Sequence, residues 1–351
     1  MVSLRFGSKC VHLWSNRKIA HPMPTNSILT AEQLTGLVEQ GLRALPIQGE
    51  PHGLYQPVVY AIDAGGKRIR PTLVLASCNL FADELQPAMP AAMAVEVFHN
   101  FTLLHDDIMD HADLRRGRPT VHRRWGTNAA ILSGDAMSVM AYELLAQSPE
   151  PMLSALLGAF NRLAMGVCQG QQLDMDFEQL AAVSQEQYVG MIELKTSALL
   201  SGALELGAIV GGAPQADVDA LVELGRHMGI AFQLQDDLLD VYGDVAVFGK
   251  QTGGDIMAQK KTMLTVLTRQ QLDVAEREQF DALMRNADLQ REQKVEQVMA
   301  FYARSQAQRA VEQLVEQHFD LARQALASVA VPIERKAVLQ AVLNKMAGRK
   351  L

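Results

Sequence analysis

Cysteine is scarce in this chain of 351 residues, which holds only Cys10, Cys78 and Cys168. An odd count without metal-ligand spacing excludes a disulfide framework and a cysteine-built zinc site, and implies free thiols in a reducing, cytoplasmic compartment. Aromatic residues are few, at 5%, and strand-like alternation is almost missing, which disfavours a sheet-rich fold. The most apolar windows, 152–167 and 198–214, are interrupted by Arg162 and Glu205, so neither offers the roughly 18 uncharged residues of a membrane span. A basic surplus is lacking too. With 39 acidic against 32 basic residues the net charge is −7, which excludes a general affinity for nucleic-acid phosphates. Any polyanionic ligand must be met by local cations or by metal.

One segment lacks acids altogether: residues 1–31 carry Arg5, Lys9, Arg17 and Lys18 but no Asp or Glu, a composition that superficially suits an organelle transit peptide. The simpler reading makes Met23 the start of the folded protein. Residues 1–28 are then a disordered or upstream extension and residues 29–351 a single domain.

Helical periodicity is abundant. Apolar residues recur at i, i+3 and i+4 over roughly 30–44, 70–83, 89–111, 128–147, 151–177, 185–211, 215–242, 258–273, 291–326 and 333–347, with boundaries good to about ±2–4 residues. Pro87, Pro149, Pro214 and Pro332 fall between these stretches, where a helix can end without losing an internal hydrogen bond. No Gly- or Ser-rich linker divides the middle of the chain. The expectation is an all-α protein built as one large helical bundle.

Two acidic clusters share the pattern D-D-x-x-D: Asp106-Asp107-Ile108-Met109-Asp110 and Asp236-Asp237-Leu238-Leu239-Asp240, each near the C-terminal end of a long apolar helix. On a helix, positions i and i+4 face the same side with Cβ atoms about 5–6 Å apart, so Asp106 pairs with Asp110 and Asp236 with Asp240. Like charges at that spacing repel, and beside a core their desolvation is costly unless a cation neutralises them. Mg²⁺ suits such hard oxygen ligands because it uses few carboxylates and bridges to phosphate. A single cluster of this kind would read as a solvated helix end; two in one chain do not. An EF-hand is excluded, since its ligands alternate along a loop around a central Gly.

Cations sit where a metal-bridged phosphate would need them. Gly65-Gly66-Lys67-Arg68-Ile69-Arg70-Pro71 places three in four positions at a helix start, where amides and dipole also favour an anion. Arg115-Arg116-Gly117-Arg118 follows the first cluster. His99 lies seven residues before Asp106, about two turns back on the same face.

G-G-K-R-I-R-P at 65–71, D-D-I-M-D followed by L-R-R-G-R-P-T, and F-Q-L-Q-D-D-L-L-D together resemble the trans-prenyltransferases, the polyprenyl or isoprenyl diphosphate synthases, from about residue 30 to the C-terminus. The resemblance implies an all-α fold around a central apolar cavity, usually a homodimer, in which Asp106, Asp110 and Asp236 ligate three Mg²⁺ ions on the diphosphate of an allylic substrate. Asp107, Asp237 and Asp240 complete the acidic shell. Arg115, Lys195 and Lys260 match positions that contact this diphosphate, with Thr196, Gln233 and Lys250 beside them. Lys67, Arg70, His99 and Arg116 match the site that holds isopentenyl diphosphate without metal. The implied reaction ionises the allylic substrate, joins the cation to the double bond of isopentenyl diphosphate and loses a proton. Lys195 and Gln233 would lie near the cation.

In the family, the residues four and five positions before the first Asp limit product length, and here they are Thr102 and Phe101. A small Thr102 with a bulky Phe101, and no insertion in the first motif, looks most like enzymes that stop at the twenty-carbon geranylgeranyl product. Farnesyl diphosphate is the alternative. Terpene cyclases lack the second D-D-x-x-D, and the non-catalytic regulatory subunits of prenyltransferase heterodimers, a different functional class, tend to have lost one of the two motifs. No nucleic-acid partner and no membrane span are expected.

Overall fold

In the computed structural model, which describes residues 28–243 and 252–349, the chain is α-helical, and the strand pair Leu114–Arg115 and Arg118–Pro119 is the one sheet among the described residues. The expected all-α class holds. Ala31–Ala44 (α1), His52–Asp63 (α2), Ile69–Phe81 (α3), Met89–Met109 (α4), Val121–Trp125 (α5), Thr127–Leu145 (α6), Glu150–Gln179 (α7), Gln185–Ile192 (α8), Ala198–Gly211 (α9) and Gln215–Tyr242 (α10) lead up to the undescribed stretch. Beyond it come Gly254–Met257, Met263–Gln271, Val274–Arg285, Arg291–Arg304, Ala307–Ser328 and Ile333–Ala347. Internal contacts divide the described residues into two compact units: those up to 157 together with 209–212, and 158–208 together with those from 213 onward.

In the first unit α4 is central. Its N-terminal half, M-P-A-A-M-A-V-E-V-F, is apolar except for Glu96 and buried except for Pro90, which is half-buried, as a helix with almost no polar face must be. It packs against α3 and most extensively against α6. From His99 onward the helix becomes half-buried, and there it carries the first acidic cluster.

In the second unit α10 takes that place, packed along Ala307–Ser328. The latter buries Val311, Val315, Phe319, Ala322 and Leu326, a stripe at helical spacing. Gly225 and Gly229, one turn apart on α10, let it close on the segment 197–201: a Cβ on Gly225 would lie 2.5 Å from Ser201 Cα, and one on Gly229 2.5 Å from Ser197 Cα. Between α8 and α9, Glu193–Ser197 forms a π-helical turn, a local widening found often at functional sites.

Several boundaries differ from the sequence reading. The stretch 291–326 is two helices because Gln306 takes a left-handed conformation (φ +55°) between them. His52–Asp63 was hidden by its internal Pro57. Val274–Arg285 buries only Phe280 and Met284, too thin a stripe to detect, although Asp273 and Glu276 form a capping box at its start. The windows judged too charged to span a membrane need correcting. Glu150–Gln179 and Gln185–Gly211 are long and apolar enough by composition, with 33% and 61% of the apolar window buried inside the fold. Arg162 and Glu205, the charges that interrupt them, pair with each other at 2.5 Å.

Candidate active site

The first cluster closes α4. Asp110 is its C-cap and still donates its backbone N–H to the Asp106 carbonyl at 2.8 Å, so the two carboxylates remain one turn apart. Asp106 is half-buried and Asp110 exposed. Asp107 turns the other way: 4% exposed, it accepts from Arg115 Nε at 2.7 Å, and Arg115 Nη2 reaches Asp106 at 3.4 Å. Burial pushes the Asp107 carboxyl up, and Arg115 opposes that rise.

Arg115 and Arg116 stand on the two-stranded hairpin. Arg116 and Gly117, both left-handed (φ +53° and +73°), close it with Arg115 opposite Arg118, the backbone pattern of a tight two-residue hairpin turn. Arg116 reaches back to donate to the Gly65 carbonyl, and a Cβ on Gly66 would collide with its guanidinium at 2.9 Å. Arg70 Nη1 lies 3.1 Å from His99 Nε2. Burial first, then Arg70, Arg116, Arg115 and Arg68, hold the His99 pKa well below its ordinary value. The ring is therefore neutral and accepts from Arg70. Lys67 is exposed. Arg68, in contrast, is turned into the protein, so the helix start offers two cations to an anion and not three. The Phe101 ring packs edge-on against Phe98 (5.2 Å between centroids) and His105 (4.8 Å), while Thr102 donates to the His99 carbonyl at 2.8 Å.

The second cluster repeats this arrangement near the end of α10. Asp237, 2% exposed, accepts from the Tyr188 hydroxyl at 2.7 Å and from the Met263 amide at 3.1 Å. Burial, then neighbouring Asp255, push its pKa up to about 8. Asp240 is engaged differently from Asp110, because its carboxylate caps Gly254–Met257 by accepting from the Gly254 and Asp255 amides at 3.2 and 2.9 Å. Asp236 is half-buried and paired with Arg349 Nη2 at 2.7 Å.

Lys195 and Thr196 lie on the π-helical turn, which Gly170 of α7 allows to come close, since any side chain there would strike the Lys195 backbone. Lys195 Nζ meets Asp174 Oδ2 at 2.5 Å, with Lys260 Nζ 3.9 Å from the same oxygen. Thr196 donates to Gln233 Oε1 at 3.0 Å. Asp255 is pushed up to about 6, by burial and then by Asp240. Lys250 lies outside the described residues.

The structure thus places Arg70, His99, Arg115 and Arg116 on or beside the end of α4 that carries the first cluster, and Lys195, Thr196, Gln233 and Lys260 around the second, while Lys67 stands exposed at the start of α3. Asp174, Tyr188, Asp255 and Arg349 join the second cluster unannounced by any motif. Asp174 did carry a signal, being the first charge after Arg162 in a long uncharged stretch. The donor set fits Mg²⁺: hard carboxylates at helix ends flanked by cations, for a metal that takes one or two carboxylates and leaves its other positions to water and phosphate. Among the described residues no three His, Cys, Asp or Glu side chains are grouped so as to hold a metal ion by themselves. A polar cavity of about 540 Å³ lies elsewhere in the second unit, lined by Gln271, Glu276, Arg304 and Arg309, and its chemistry suits no prenyl chain.

A family model described as polyprenyl synthetase matches residues 51–302. The chain is 42% identical over 224 residues to a geranylgeranyl diphosphate synthase of Methanosarcina mazei, covering 63% of this chain and 69% of that protein. A solved structure of a geranylgeranyl pyrophosphate synthase superposes with a TM-score of 0.87 at 41% identity, over 92% of this chain and 100% of the other. A decaprenyl diphosphate synthase from Rhodobacter capsulatus gives 0.81 at 30% identity, over 91% and 100%.

Proposed function

The chain belongs to the polyprenyl synthetase family, and from that premise we propose that it is a prenyltransferase condensing isopentenyl diphosphate head-to-tail with an allylic diphosphate to give geranylgeranyl diphosphate. One observation supports this most: each acidic cluster has a buried Asp tied down by a donor (Asp107 by Arg115, Asp237 by Tyr188) and a half-buried Asp before it. A helix end of this build, with cations beside its carboxylates, suits a diphosphate held through metal.

In this reading Asp106, Asp110 and Asp236 would hold three Mg²⁺ ions, which would supply positive charge to offset the charge on the departing diphosphate. Asp107, Asp237 and Asp240 support these ligands from behind. Arg115, Lys195 and Lys260 meet the same diphosphate. Lys195 and Lys260 exchange Asp174 for substrate oxygens, and the Thr196–Gln233 pair lies beside them. Lys67, Arg70 and Arg116 bind the second diphosphate as cations, and neutral His99 orients the Arg70 guanidinium. The double bond of isopentenyl diphosphate attacks the allylic carbon, the departing diphosphate takes the proton, and Phe101 ends the space for the growing tail. Water must be kept from the cation, which it would trap.

Residues 29–351 then work as one catalytic domain. A second copy of the chain covers the exposed apolar side chains of α6 and α7, among them Leu132, Val139 and Met165, making a homodimer in the cytoplasm. Asp106→Ala and Asp236→Ala test the site: each is expected to lower kcat roughly a hundredfold or more at an unchanged unfolding temperature, since a metal ligand is deleted. Folded variants with wild-type rates would defeat the assignment.

A further inference from the structure

Arg68 stands between Lys67 and Arg70, yet its own partners are all groups of the protein. Its side chain is 2% exposed and all three guanidinium nitrogens are taken: Nε donates to Glu39 at 2.7 Å, Nη1 to Glu96 at 2.6 Å and Nη2 to the Ile62 carbonyl at 2.8 Å. These partners come from α1, α4 and α2. Glu96, 3% exposed, is held in turn by Asn100 Nδ2 at 3.2 Å. The backbone at Arg68 is left-handed (φ +47°) and follows Gly65 and Gly66 at φ +75° and +145°. A residue with a side chain adopts that conformation only where its surroundings impose it, and the two carboxylates do so here.

The consequence falls on its neighbours. Lys67 directly precedes Arg68, and Arg70 follows by two residues and meets His99, which is three residues beyond Glu96 on α4. The clamp therefore sets both the turn that presents Lys67 and Arg70 and the spacing between that turn and the face of α4 bearing His99. A buried charge with two charged acceptors is also hard to move, because each alternative leaves an ion desolvated and unpaired.

We propose that Arg68, clamped by Glu39 and Glu96, is a positioning residue for the metal-free diphosphate site of Lys67, Arg70 and His99. The proposal rests on the prenyltransferase reading above. It selects for one substrate: the clamp shapes the binding of isopentenyl diphosphate and leaves the metal-held allylic diphosphate alone.

Steady-state kinetics on the full chain, with each diphosphate varied in turn, tests this. Glu39→Gln is the gentle variant, since Glu39 is 33% exposed and Glu96 still pairs the guanidinium. It should raise KM for isopentenyl diphosphate roughly tenfold, as expected when the acceptor of Arg68 Nε loses its charge and a charge-assisted pair becomes an ordinary hydrogen bond, with kcat and the allylic KM within about twofold. Glu96→Gln should shift the same constant further; should it fail to fold, Glu39→Gln carries the test. Asp281→Asn, which breaks the Arg269–Asp281 pair, supplies a destabilised control whose isopentenyl KM should stay put. A folded Glu39→Gln protein with an unchanged isopentenyl KM, or with both KM values raised alike, overturns the proposal while wild-type activity leaves the prenyltransferase reading standing. A wild-type chain that incorporates no isopentenyl diphosphate fails the reading itself.

Discussion

Gly225 on α10 offers a perturbation whose sign separates two effects. In an exposed helix interior Ala is favoured over Gly by about 0.8–1.0 kcal/mol, so Gly225→Ala would stabilise the protein if local propensity decided. The packing predicts the opposite. An added Cβ would lie 2.5 Å from Ser201 Cα, 2.6 Å from its N and 2.9 Å from Leu200 C, where ordinary contact begins at 3.4 Å. All three atoms are backbone, so no rotamer change relieves the clash and the two segments must part by up to about 1 Å, an overpacking that costs about 1–3 kcal/mol. The net expectation is a loss of up to about 2 kcal/mol. Gly36 on α1 is the matched control, since a Cβ there meets nothing within 4 Å, and Gly36→Ala should gain about 0.5–1 kcal/mol. Urea unfolding of the two variants reads both signs from the midpoint at constant slope. A Gly225→Ala protein as stable as wild type, or more so, would refute the close approach of α10 to residues 197–201 that positions the second cluster.

Two further expectations follow from side chains. Phe101→Ser removes the ring packed between Phe98 and His105 and should lengthen the prenyl product, as sized by reversed-phase chromatography after phosphatase treatment; an unchanged product removes Phe101 from its role. His318, whose Nδ1 lies 2.9 Å from His227 Nδ1, has its pKa lowered to about 4 by burial, then by His227 and Arg226. The unfolded chain therefore binds a proton that the native state refuses between about pH 6.5 and 4, and stability falls as pH falls through that window. His318→Gln should flatten the decline of the urea midpoint between pH 7 and 5, and an unaltered slope would contradict the burial argument.

The sequence carried much of this site because its chemistry is repetitive: two D-D-x-x-D turns on apolar helices announce themselves through like charge beside a core. The same reasoning could not distinguish Asp107 and Asp237, which turn inward, from the acids before them, because the distinction depends on Arg115 and Tyr188 arriving from elsewhere in the chain. Arg68 was misjudged for a related reason. Adjacency to Lys67 and Arg70 suggested a shared role, whereas burial beside Glu96 and Glu39, distant in sequence, turned it inward. Arg349 has no local pattern, and the isolation of Asp174 in an uncharged stretch marks it without giving its role; what makes them notable is contact with Asp236 and Lys195. Helices were legible where their apolar stripe was wide, as on α4 and α10, and illegible where a proline or a mostly polar composition concealed it.

The central claim is best tested by incubating purified chain with radiolabelled isopentenyl diphosphate and, separately, the five-, ten- and fifteen-carbon allylic diphosphates in Mg²⁺, then sizing the dephosphorylated products. Label is expected in a twenty-carbon alcohol, and a chelator should abolish it. No incorporation with any primer, or accumulation that halts at fifteen carbons, would contradict it.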